Sequence, residues 1–124
     1  AECDRDLCVS DLAGRLRDMG VRVGSDAAGE LFVRDGSGRI AAVIEVAAGA
    51  GPQPVERAVG RLMLRSWKLP QEPRRLLVAP GDPFGKEAAG LGIRLVPYRW
   101  DEGKAVFTGL AEALGGTDDA GNRE

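Results

Sequence analysis

The sequence predicts an α/β sandwich around a mixed sheet, and three observations carry that expectation. Asp35-Gly36-Ser37-Gly38 is a turn signal between two strand-like runs, so an antiparallel hairpin is expected there. The second run holds Ile40-Ala41-Ala42-Val43-Ile44, apolar at consecutive positions as in a strand covered on both faces. Beyond it, helical and strand-like patterns alternate twice, the mark of β-α-β units with parallel strands. A chain of 124 residues suits one domain. That domain is expected over residues 1–114, with an acidic, Gly-rich tail over 115–124 expected to be disordered.

The elements follow in order. Val9, Leu12, Leu16 and Met19 repeat at helical spacing, so a first helix is expected over 5–19, stopped by Gly20. Val21 and Val23 suggest a short extended piece. The hairpin arms are expected over 31–34 and 39–47. A Gly/Pro-rich loop over 48–54 leads to a helix over 55–69, closed by Pro70 and Pro73. Leu76 to Ala79 reads as a short buried strand, and Asp82 as the cap of a helix with Pro83 in its first turn, ended by Gly90 and Gly92. Further strands are expected over 93–98 and 104–107, with a last helical turn over 110–114.

Composition narrows the chemistry. Hydrophobic residues make up 44% and charged residues 29%, an ordinary globular balance. No run of 18 apolar residues exists, so no membrane span is expected. Histidine is absent, which excludes His-based triads, His general bases and His-ligated metals. Cys3 and Cys8 have no further Cys or His to complete a zinc site. They read as free thiols of a reducing compartment, and the expected location is cytoplasmic. Residues 1–100 carry 15 Lys/Arg against 13 Asp/Glu, and residues 101–124 carry 2 against 6. A mildly basic body with an acidic tail permits an anionic partner.

Glu45 is the most unusual residue, a carboxylate inside an otherwise apolar strand. There it must pair, bind a cation or shift its pKa upward. Glu30, at the start of the preceding arm, is expected to approach it, and two converging carboxylates can hold a hard divalent cation. The plainer reading pairs Glu45 with an arginine such as Arg34 or Arg94. In the helix that follows, Arg57, Arg61, Arg65 and Lys68 fall within an arc of about 80°. Such a stripe can track a phosphate backbone or be a solvated face. Leu64 and Trp67 flank it, outside the main apolar arc, and point to cover by a second chain. Gly49-Ala50-Gly51 imitates a nucleotide-binding loop, but Pro52 and Pro54 remove N–H donors that would cradle phosphate.

The hairpin of residues 29–47, with Glu30 opening one arm and Glu45-Val46-Ala47 on the next, resembles the core of PD-(D/E)XK nucleases. Ala58-Val59-Gly60-Arg61-Leu62-Met63 is similar to the helix of archaeal NucS-type endonuclease C-terminal domains, and the leading helix resembles that of Holliday-junction resolvases. The resemblance covers about residues 5–100. It implies a restriction-endonuclease-like three-layer sandwich, weak Mg2+ or Mn2+ binding by Glu30 and Glu45, DNA as partner and a homodimer. The catalytic pattern departs from the family: its lysine is Ala47, its helix glutamine is Arg61, and Leu64 and Arg65 stand where an aromatic is usual. The expected function is therefore a catalytically degenerate nuclease-fold protein, more a nucleic-acid-binding or assembly subunit than an enzyme. The alternative is an active metal-dependent endonuclease with Lys68 as relocated base, and a third option is an interaction module without a nucleic-acid role.

Overall fold

The computed structural model describes residues 2–25, 30–47, 49, 51–81 and 85–115. The expected cap at Asp82 with Pro83, the tail beyond residue 115 and the side chain of Cys3 lie outside the described residues. The chain is an α/β protein in which the described residues form a six-stranded mixed sheet in sequential order and four helices. No described helix is long and apolar enough to cross a membrane.

Helix α1 (Glu2–Asp18) buries Cys8, Leu12, Ala13 and Leu16 against the sheet. Gly20, at φ 83°, ends it. The Val21 N–H donates to the Leu16 carbonyl and the Gly20 N–H to that of Arg17, the paired bonds that close a helix on a left-handed residue. Strands β1 (Arg22–Ser25), β2 (Leu31–Arg34) and β3 (Ile40–Val46) are antiparallel neighbours. The β2–β3 turn closes on Asp35, whose Oδ1 accepts from the N–H of Ser37 and of Arg39 and from the Ser37 hydroxyl.

Helix α2 (Pro52–Trp67) starts three residues before the expected position. Pro52 and Pro54 occupy its first turn, where a missing N–H leaves no helical bond unmade and the fixed φ already suits the helix. Strand β4 (Arg74–Pro80) follows, parallel to β3; then α3 (Gly85–Gly90) and β5 (Ile93–Asp101), parallel to β4. Strand β5 runs three residues past the expected end because it continues into a hairpin with β6 (Lys104–Phe107). Glu102 and Gly103, both at positive φ, make its two-residue turn. A short α4 (Leu110–Ala113) is the last element among the described residues.

Period two sorts the sheet into two faces. Ala42, Ile44, Val46, Leu76, Val78 and Val96 pack with α1 and α4. Val43, Ala47, Leu77, Ala79 and Ile93 pack with α2 and α3. Glu45 shares the parity of Val43 and Ala47 and so projects beneath α2.

Candidate functional site

Four charged residues meet where α2 crosses the open end of the β2–β3 hairpin. Glu45 is fully buried, with its side chain 0% exposed, and Glu30 is mostly buried. Arg61 Nε donates to Glu45 Oε1 at 3.1 Å, and Arg65 Nη1 donates to Glu45 Oε2 at 2.9 Å. Glu30 lies against the same two guanidiniums, 3.5 Å from Arg61 Nε and 3.8 Å from Arg65 Nε. Arg65 also donates to the backbone carbonyls of Ile44 (2.8 Å) and Leu31 (2.6 Å). One guanidinium thereby ties α2 to both β2 and β3.

Local structure explains the convergence. Arg61 and Arg65 are one helical turn apart, hence neighbours on the helix surface. Their arc is offset to one side of the buried row Val55, Ala58, Leu62 and Ser66 and leans over β2 and β3 rather than outward. Burial raises the Glu45 pKa above its ordinary value, and the hydrogen bond from Arg61 opposes it. The charge of Glu30 adds to the rise, and the charges of Arg65 and Arg61 add to the opposition.

The structure therefore gives Glu45 arginine partners other than those expected. Arg34 donates to the Gly38 carbonyl at 2.7 Å and stacks over the Phe32 ring, 5.0 Å from its centroid. Arg94 lies exposed on β5, two strands from β3. The arginine stripe of α2 is divided: Arg61 and Arg65 turn in to the carboxylates, while Arg57 and Lys68 are exposed. Among the described residues, Lys68 makes no ion pair with Glu30 or Glu45.

Hard divalent ions take six or more oxygen ligands. Among the described residues, no cluster of three or more His, Cys, Asp or Glu side chains forms. Two guanidiniums balance the two carboxylates in charge. Ala47, buried beneath α2, brings no amine to the site.

Two features were missed in the sequence. Ser66 is buried: its hydroxyl donates to the Leu62 carbonyl at 2.8 Å and accepts from Arg75 Nε at 2.8 Å, fastening α2 to β4. A small hydroxyl in an apolar helix row was its one sequence signal. Arg22, Arg34 and Arg39 gather at the turn end of the hairpin, visible only once β1 pairs with β2 and brings Arg22 opposite Arg34. Compared with family models, curated proteins and solved structures, the chain matches none.

Proposed function

We propose that this chain is a restriction-endonuclease-like domain of the PD-(D/E)XK kind whose carboxylate site has become an arginine lock. It serves as a nucleic-acid-binding or assembly subunit rather than an endonuclease. The supporting observation is that both carboxylate oxygens of Glu45 are engaged by guanidiniums, with Ala47 two residues on. Hydrolysis of a phosphodiester by this fold needs a metal on the carboxylates and a cation to stabilise charge on the phosphoryl group. Losing one such stabilising group costs about 3–4 kcal/mol in the transition state. The order α1, β1, β2, β3, α2, β4, with Glu30 ahead of β2 and Glu45 late in β3, is a second support for this reading. The deciding experiment incubates the protein with duplex, flap and junction DNA and Mg2+ or Mn2+. No turnover is expected. Cleavage abolished by Glu45→Gln would establish the active-enzyme reading and make Lys68 the first suspect as base.

For the assembly role we infer a homodimer through α2. Trp67 is 86% and Leu64 66% exposed on its outer side. Between α2 and α3 runs an apolar groove lined by Val55, Val59, Leu77 and Leu91, with Glu56 and Glu87 at its edge. Lys68, beside Trp67, complements those carboxylates when a second copy sets its Trp67 into the groove. Light scattering at tens of micromolar is expected to give twice the chain mass, and Trp67→Glu half that value. A monomeric native chain would exclude this mode.

A further inference from the structure

We propose that the turn end of the β2–β3 hairpin is the phosphate-contacting surface of this protein, with the backbone of a nucleic acid strand as its ligand. The inference deepens the nucleic-acid reading above and rests on it. Arg34, Gly38, Arg39, Leu69, Pro70 and Gln71 line a groove between this turn and the exit of α2. Arg22 stands opposite Arg34 on the neighbouring strand, on the same face of the sheet. All three arginines are exposed.

What sets them apart from Arg61 and Arg65 is the kind of group that holds them. Arg34 is anchored on the Gly38 carbonyl at 2.7 Å, Arg22 on the Asp35 carbonyl at 3.3 Å, and Arg39 on Gln71 Oε1 at 2.9 Å. Each acceptor is neutral, so each guanidinium is oriented by a group that carries no charge. Among the described residues Arg22 and Arg34 make no ion pair, while Arg39 also feels the charge of Asp35. Among the described residues, the nearby acids Asp35 and Glu72 have hydrogen-bond or ion-pair partners of their own. Asp35 turns Oδ1 into its own turn, and Glu72 pairs with Arg75 at 3.0 Å. The Phe32 ring supports Arg34 from below, and its ring atoms would sit 2.7 Å from a Cβ at residue 24. Gly24 therefore makes room for the ring that props the guanidinium.

Preset guanidinium forks suit phosphate oxygens better than single ammonium groups do. Arg57 and Lys68, exposed along α2, extend the positive surface away from the groove. Among the residues that line the groove there is no aromatic side chain, and Arg34 stacks over the Phe32 ring. Contact is therefore to the backbone, without sequence preference.

The test measures anisotropy of a fluorescein-labelled mixed-sequence oligonucleotide, single-stranded and duplex, across a KCl series with the full chain. Three proteins are compared: native, R22A/R34A/R39A, and R22K/R34K/R39K, with circular dichroism reporting folding. The alanine variant is expected to lower the slope of log affinity against log salt by about two to three. The lysine variant keeps the slope and loses part of the affinity, which a merely structural role would not produce. Binding with an unchanged slope in the alanine variant, or a slope lost equally with lysine, overturns the groove and leaves the nucleic-acid reading standing. Absence of any binding by the native chain overturns that reading and the groove with it. Equal displacement by polyglutamate, or by millimolar inorganic phosphate, would assign the groove to another anion and overturn the proposal.

Discussion

At Glu45, deleting the carboxylate and neutralising it have different consequences. Glu45→Ala leaves Arg61 and Arg65 without their main partner and opens a hole under α2. Breaking a buried pair in this way costs about 3–5 kcal/mol. Arg57→Ala, on the same helix but exposed, is expected to stay within about 0.5 kcal/mol. Urea denaturation of the two variants against the native chain measures both. The pH dependence is a second expectation. Burial, reinforced by Glu30, outweighs the arginines and holds the Glu45 pKa above its ordinary value. The folded state thus binds this proton more tightly than the unfolded chain. The resulting stability is full below the unfolded glutamate pKa of about 4.3 and is lost as pH rises through the raised folded value. Glu45→Gln should remove that segment of the stability-pH curve, read from denaturation midpoints across a pH series. Retention of the segment would assign it to another group.

At the scale of elements, boundaries were decided by turn chemistry and proline placement. The β5–β6 hairpin turns on Glu102 at φ 52° and Gly103 at φ 80°. A Cβ at residue 103 meets nothing within 4 Å, so Gly103→Ala carries only the backbone strain of a left-handed residue, about 1–2 kcal/mol. Glu102→Asn should act oppositely and stabilise by about 0.5 kcal/mol, since asparagine tolerates that conformation. Thermal unfolding of the two variants, moving in opposite directions, checks the turn. The same element shows why the sequence reading stopped β5 at residue 98. Arg99, Trp100 and Asp101 are exposed and lack a strand's apolar half, and pairing with β6 alone keeps them extended.

The whole molecule is organised by a sheet covered on both sides. Leu76 and Leu77 are consecutive, both fully buried, and belong to cores on opposite faces. Cys8 lies in the core on the α1 side, and burial, helped by Asp11, pushes its thiol up to about 12. Only the thiolate reacts readily, and a buried thiol must first be uncovered. In a Cys3→Ser background, a disulfide reagent at pH 8 should leave Cys8 unmodified in the folded protein and react at once in urea. Rapid labelling without denaturant would mean that α1 opens independently of the sheet.

Much of this architecture follows from the sequence by itself. Apolar patterns fix which residues must leave water and gave the central place of β3. The Asp35-Gly36-Ser37-Gly38 turn gave the hairpin, and the alternation of strand and helix gave the parallel pairing with β4 and the helices on both faces. The patterns also marked Glu45 as a charge needing a partner, and placed Arg61 and Arg65 on one arc. Which partner it takes was decided by tertiary structure. Separation along the chain does not decide it: Arg34 is nearer to Glu45 in sequence than Arg61 and Arg65 are, and Arg94 is farther. The choice depends on how α2 rolls over β2 and β3, set by Val55, Ala58, Leu62 and Ser66 seating on the sheet. The basic turn end is equally a tertiary product. Arg22 and Arg34 are 12 positions apart in the chain and become neighbours only through the register Arg22↔Arg34. Periodicity specifies a face, whereas an ion pair depends on angles between elements that no single element's sequence contains.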